Sequence, residues 1–492
     1  MSIGAIAFVV ILVTAGLFTL LGLLYTSKRT IDLEDYMVSR DRFGTGMSIA
    51  TIVASALGAW ILFSPPEVGA TSGIMGILGY CLGQAAPAGV FATIGPRIRT
   101  LMPKGHSLNE YVLYRFGAAM YVLTLGIIVF YMFIYLAAEL TAIAKAVQIL
   151  ADVPLGWTAL VVITAVFVYT TYGGLGATIF TDAIQFIVIV PLLILSVIIA
   201  ASALGGLGTV LDNVRQSAPE LLSFSNGPGI KFGLTLVIAV LAAEMFNQGN
   251  WQRIYACRTN QVVKRSFLTS FVVIFPMLFL AGLLGILAVS VGFNDDRAFF
   301  SLIQSLNLPT IVIVGVLILA LALVMSSLDT LLNGITSVLT LDLIRFLPQL
   351  SSSGILRASR LVAVAIATLA VIIAAQGYNV LYLFLLADLV CAGAIAPILY
   401  GLYSQRLTGK AAFWSSMVGI AAGALFFPKP DFSPWLAIPF GGDLLVSFVV
   451  PIVVSSSLII AWTTIATFNG TAQTFDFGSL QTGIKSYVIS EE

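Results

Sequence analysis

Histidine is nearly missing from this chain. His106 is the only one among 492 residues, and Cys81, Cys257 and Cys391 are the only cysteines. No cysteine pair has the spacing of a metal site or a disulfide framework, so each reads as a small apolar packing residue. Metal hydrolysis and histidine-based acid–base chemistry therefore have almost nothing to work with. Charge is equally scarce: 9% of the residues are charged, where a soluble domain carries about a quarter. The net charge of +1 argues against nucleic acid as a partner, which would want a basic face.

What fills the chain instead is apolar. Hydrophobic residues make up 59% and the mean hydropathy is +1.05, so lipid must cover the outside. The composition predicts an all-α polytopic membrane protein, multi-pass in the inner membrane of the cell. One helix needs about 20 apolar residues to span. Suitable runs lie near 4–25, 46–70, 73–95, 117–149, 155–172, 178–203, 230–250, 266–292, 310–344, 358–376, 378–402, 411–428 and 442–467, about thirteen spans. No basic residue precedes the first run and Lys28 and Arg29 follow it, the reverse of a cleaved signal peptide, so it reads as a permanent first helix.

Lys and Arg in short loops mark the cytoplasmic side. With the N-terminus outside and the C-terminus cytoplasmic, that side collects Lys28, Arg29, Arg40, Arg42, Arg97, Arg99, Lys104, Arg115, Arg253, Arg258, Lys264, Arg265, Arg345, Arg357, Arg360, Arg406, Lys410 and Lys485. The outer side keeps Arg215, Lys231, Arg297 and Lys429, with Lys145 near the outer end of its helix.

Two spans look broken. The second carries Ala54-Ser55-Ala56-Leu57-Gly58-Ala59-Trp60 and then Pro65-Pro66-Glu67; the seventh carries Glu244-Met245-Phe246-Asn247-Gln248-Gly249-Asn250-Trp251. Irregular backbone at membrane depth is tolerated only where protein or a water-filled cavity surrounds it. Interruptions at matching places in two halves point to a transporter's central site. The pairing predicts a 5+5 inverted repeat within a single transporter domain over 1–492: a leading helix (4–25), a first repeat (46–203), a second repeat (230–402), two trailing helices (411–467) and a cytoplasmic tail (470–492).

Charges at mid-bilayer cost about 2.5–3.5 kcal/mol each on insertion scales, so each needs a reason. The candidates are Glu139, Asp182, Glu244, Asp329 and Asp388. For Glu139 the plainer reading, a satisfied contact between helices, is preferred. Glu244 and Asp388 invite two solutes. Both ionised, they suit a cation such as an amine or polyamine; with one neutral, it is able to donate to a urea-like carbonyl. Span 9 carries Ser326-Ser327, whose hydroxyls are hard oxygen donors for an alkali ion or simply bond back to their own helix.

Three stretches resemble the sodium:solute symporters. They are Gly173-Gly174-Leu175 through Thr181-Asp182-Ala183-Ile184-Gln185, Phe246-Asn247-Gln248 through Gln252-Arg253, and Ser326-Ser327-Leu328-Asp329-Thr330-Leu331-Leu332-Asn333 with Asp342 after it. The resemblance implies the leucine-transporter type of inverted repeat and Na+ as coupling ion. It would place the ion on the carbonyls of Ala54, Leu57 and Leu323 and the hydroxyls of Ser326 and Ser327, with Asp182 on the sodium path. Solute contacts are expected from Ser55, Ala59, Trp60, Gln84, Glu244, Phe246, Asn247 and Asp388. The chain departs from the family's proline and galactose carriers at Ala56 and at Ala243, where those carry Asp or Asn and a gating aromatic. The stretches Gly95-Pro96 to Leu108 and Ala387 to Cys391 look similar to the urea-type branch.

The expected function is sodium-coupled symport of a small polar organic solute, urea-like as a guess, by alternating access. Proton-coupled symport of an amine, polyamine or amino acid is the nearest alternative, since intramembrane carboxylates also relay protons. A passive solute channel is the alternative of another class. No nucleophile–base pair within the spans suggests an enzyme, and the tail after about 470 is short for a signalling domain.

Overall fold

The computed structural model describes residues 3–27, 32–346, 349, 351–470 and 474–484; Lys28, Arg29 and Lys485 lie outside these. Among the described residues the protein is helical, with two isolated β-bridges and no strand. In chain order the helices are α1 (Ile3–Thr26), α2 (Leu33–Met37), α3 (Thr45–Ala56), a 3-10 turn (Ala59–Leu62), α4 (Ser64–Leu101), α5 (Leu108–Phe116), α6 (Ala118–Ala151), α7 (Leu155–Ala203) and α8 (Leu207–Ser217). After a second 3-10 turn (Pro219–Leu222) come α9 (Gly227–Glu244), α10 (Gln248–Ala256), α11 (Asn260–Val289), α12 (Ala298–Ser305), α13 (Thr310–Phe346) and α14 (Ser352–Ala374). The last are α15 (Val380–Ala392), α16 (Ile395–Gly401), α17 (Gly409–Ala424), α18 (Leu444–Phe468) and α19 (Gly478–Gly483).

Among the described residues nine helices are long and apolar enough to cross a membrane, or ten if α15 and α16, bent by 48°, form one span. This count falls short of the expected thirteen because two helices each contain a turn within their length and two others are short. α4 and α7 each turn within their length at a glycine, Gly73 (φ 65°) and Gly174 (φ 55°). At these positive φ values a side chain would strain the backbone. The turns fall at the expected borders between the second and third, and the fifth and sixth, runs. α3 (12 residues) and α17 (16 residues) are too short to pass alone.

Both expected interruptions are present. α3 ends at Ala56, Leu57 and Gly58 are extended, and the chain restarts as the Ala59–Leu62 turn before Pro65 and Pro66 open α4. α9 ends at Glu244, and Asn247 caps the first turn of α10 through its side chain. Around these breaks, α4 packs against α9 and α11, α13 packs against α7 and α6, and α17 pairs with α18. Gly69, Gly282 and Gly285 let α4 and α11 approach until a Cβ at Gly285 would lie 1.9 Å from the Pro66 carbonyl. Such small-residue contacts are how membrane helices gain dispersion energy. Ile187, Leu361 and Phe468 are among the large apolar side chains left on the outside, as a lipid-facing surface requires.

Candidate functional site

The first break brings the Ala54 carbonyl against α13. The Ser326 hydroxyl donates to the carbonyl of Ala54 and to that of Leu323, both at 2.9 Å. The Ser327 hydroxyl reaches the carbonyls of Leu323 and Val324 at 3.2 Å. Leu57 sits in the extended stretch, its N–H bonded to the Ala54 carbonyl. The set is hard, neutral oxygen from two chain segments, buried, and suited to an alkali ion.

One turn further along α13, a polar cluster ties the helix to both interrupted spans. Arg253 of α10 bonds Asp182 of α7 at 2.9 Å, Thr51 of α3 at 2.9 Å and Thr330 of α13 at 2.7 Å. Thr51 also donates to Asp182 at 2.5 Å, and Asp329 accepts from Tyr169 at 2.8 Å and Thr181 at 3.2 Å. Asp182 thus faces a fixed guanidinium through Oδ2, while its Oδ1 is buried without a hydrogen-bond partner among the described residues. Gln252 reinforces the same junction through Asn333 at 2.7 Å and the Met37 carbonyl at 2.6 Å.

The second break opens on a central cavity of about 20 Å3 to the centre of a water-sized sphere, room for about one water. Trp60, Gln84, Glu244 and Asp388 line it, as expected, together with Tyr80, Tyr131, Tyr135 and Phe384. The rings form a connected wall: Trp60 stacks on Tyr80 at 5.4 Å and meets Phe384 at 5.5 Å, which contacts Tyr135 at 4.7 Å. Glu244 accepts from Tyr131 at 3.1 Å, Asn250 at 2.9 Å and Asn247 at 3.2 Å. Among the described residues, no lysine, arginine or histidine lines this cavity.

The other expected solute contacts stand outside that lining. Ser55 bonds the Ile52 carbonyl of its own helix at 3.3 Å, Ala59 gives its N–H to Glu139, and Phe246 is fully buried. Asn247 acts through Glu244 and as the cap of α10. Tyr80, Tyr131, Tyr135, Phe384 and Thr51 were not foreseen. A signal for two of them is in the sequence: Tyr131, Tyr135 and Glu139 recur every fourth residue and so share one face of α6.

The family model for the sodium:solute symporter family matches residues 36–419, most of the chain. The chain belongs to the sodium:solute symporter family. The family and the structural neighbours of this chain are transporters, not enzymes. A spermidine transporter of Candida albicans is 29% identical over 357 residues, 71% of this chain and 66% of that protein. A sodium/glucose cotransporter of Vibrio parahaemolyticus is 26% identical over 404 residues, 74% of this chain and 72% of that protein. The chain thus spans just under two thirds of the Candida relative. Among solved structures, a Na+-coupled sialic acid symporter in its substrate-bound outward-open state shares the fold with a TM-score of 0.77 at 18% identity, covering 94% of this chain and 98% of that one. The symporter family thus places the breaks of this chain in the leucine-transporter type of fold.

Proposed function

We propose that this symporter carries a small organic amine, as its cation, into the cell together with sodium. The observation that carries the reading is the central cavity: two carboxylates, Glu244 and Asp388, inside an aromatic wall with no basic side chain among the lining residues. Aromatic faces attract cations by about 0.5–2 kcal/mol each, more when dry. Two buried carboxylates so close to one another repel, and a cation between them relieves that repulsion. The spermidine transporter among the relatives agrees with an amine solute.

Coupling follows from the chain's own geometry. A sodium ion held by Ala54, Leu57, Leu323, Ser326 and Ser327 joins the broken second span to α13. Trp60 lies three residues beyond Leu57 on that broken span, so fixing the break also fixes one wall of the solute cavity. Arg253 links α13 through Thr330 to α10, the inner part of the other broken span. With the N-terminus outside, the arginine-rich end is cytoplasmic, and rocking of the two repeats would open the cavity there. For a univalent amine both charges fall through the potential. At about 100 mV that is about 4.6 kcal/mol, with about 1.4 kcal/mol more from a tenfold sodium gradient.

The test is uptake of radiolabelled putrescine, spermidine and urea into proteoliposomes, with and without an inward sodium gradient. Sodium-dependent accumulation of an amine supports the reading. Accumulation of urea alone would overturn the amine assignment, and uptake driven by protons without sodium would overturn the coupling ion.

A further inference from the structure

Glu139 of α6 lies wedged in the gap of the broken second span, next to the oxygens assigned above to sodium. Its Oε2 accepts from the Ala59 N–H at 2.9 Å, and the Trp60 N–H and the Ser327 hydroxyl also face the carboxylate. The side chain is fully buried, and among the described residues no lysine or arginine is its partner. Its Oε1 is buried without a hydrogen-bond partner among the described residues. That oxygen occupies the place where a side chain at position 58 would begin: a Cβ on Gly58 would stand 1.5 Å from it. The carboxylate therefore fills the backbone gap one residue past Leu57 and faces the Ser327 hydroxyl, beside two of the five proposed sodium ligands.

Removing a charge from water costs several kcal/mol unless an opposite charge compensates it. A cation on Ala54, Leu57, Leu323, Ser326 and Ser327 is the nearest place from which compensation is able to come. We infer that Glu139 is the counter-charge of the sodium site, so that the ion binds beside a carboxylate from α6 rather than among neutral oxygens alone. The satisfied helix–helix contact expected from the sequence accounts for one oxygen of this carboxylate and leaves the other unexplained. An anionic site also binds α6 to the break whenever sodium is present, which ties Tyr131 and Tyr135 of the same helix face to the ion. The inference rests on the sodium reading of Ser326 and Ser327.

The test is sodium binding to the purified full chain, followed by tryptophan fluorescence during titration with NaCl against KCl. Glu139→Gln keeps the shape and removes the charge. A tenfold or greater loss of sodium affinity, with Glu139→Asp lying closer to the wild type, supports the inference. A smaller loss in the glutamine variant overturns it. If wild type binds sodium and Ser327→Ala abolishes binding while Glu139→Gln leaves it intact, only the role of Glu139 falls. If wild type binds no sodium, the sodium reading falls with it. Should the glutamine variant not purify as one species, wild-type Glu139 is labelled with a hydrophobic carbodiimide and read by mass spectrometry. Labelling that sodium suppresses and potassium does not supports the inference; labelling that sodium leaves undiminished overturns it.

Discussion

Arg253 and Asp182 form an ion pair wholly inside the protein: Nη2 of the arginine lies 2.9 Å from Oδ2 of the aspartate, at 1% and 0% side-chain exposure. The pair joins α10 to α7, and its hydrogen bonds to Thr51 and Thr330 bring in α3 and α13. Removing one partner of a buried pair leaves an uncompensated charge and costs about 3–5 kcal/mol. Asp182→Ala or Arg253→Ala alone should therefore lower thermal stability in detergent sharply. The double variant should recover part of that loss, which a double-mutant cycle of unfolding midpoints reads directly.

The proposed sodium ligands give a kinetic expectation. Ser326→Ala and Ser327→Ala should each raise the sodium concentration for half-maximal uptake by about tenfold, equivalent to about 1.4 kcal/mol. Uptake into proteoliposomes at varied sodium checks this. Unchanged sodium dependence in both variants would sink the assignment.

In the solute cavity, Glu244→Gln and Asp388→Asn should raise KM for an amine at fixed sodium more than they lower the maximal rate. Trp60→Leu should cost about 0.5–2 kcal/mol of amine affinity, roughly 3- to 30-fold, through the lost cation–π contact. Equal KM values in all three would remove the amine from this cavity.

Close packing of α4 on α11 gives a purely structural test. Gly285→Ala puts a methyl 1.9 Å from the Pro66 carbonyl, which only separation of the helices relieves. Overpacking of this kind typically costs about 1–3 kcal/mol. A midpoint of thermal unfolding equal to the wild type would contradict the helix contact.

Outside the spans, the single histidine should set a pH dependence. His106 is buried between two carboxylates, its Nε2 2.7 Å from Glu34 and its Nδ1 3.0 Å from Glu110. Burial opposes the imidazolium, but hydrogen bonds to Glu110 and Glu34 outweigh it and hold the His106 pKa above the usual value. Burial also opposes the Glu34 carboxylate, yet His106 and Arg40 bring its pKa down to about 2. A histidine raised in the folded state contributes fully below its unfolded pKa of about 6.5 and loses that contribution as pH rises through the folded value. The lowered Glu34 contributes above its unfolded pKa of about 4.3 and loses this as pH falls toward 2. Thermal stability should thus fall on the alkaline side through the histidine and on the acid side through the glutamate. His106→Gln should flatten the alkaline limb, and an unchanged limb would refute the role of His106.

Much of this was legible in the residues. The scarcity of charge and the runs of apolar side chains dictate helices in lipid, because only there is every backbone group satisfied without water. Pro65-Pro66, Gly58 and Asn247 announce the two breaks, since each removes a helical bond or caps a new start. The motifs with Ser326-Ser327 and Asp182 point to the family before any coordinates.

Tertiary structure alone decided which side chains meet. Sequence separation says nothing of the 80 residues between Ala59 and Glu139 or the 71 between Asp182 and Arg253, and only packing closes those gaps. Hydropathy places the borders near Gly73 and Gly174, but only the fold shows that the chain turns there at positive φ within α4 and α7. The same holds for the cavity: Ser55 and Phe246 sit as near the breaks in sequence as Trp60 does, yet neither lines it. Composition and local pattern determined the solvent, the helices and their interruptions, because those are one-dimensional properties of the backbone. The ion pair, the aromatic wall and the carboxylate beside Gly58 depend on contacts between distant segments, which only the packed fold specifies.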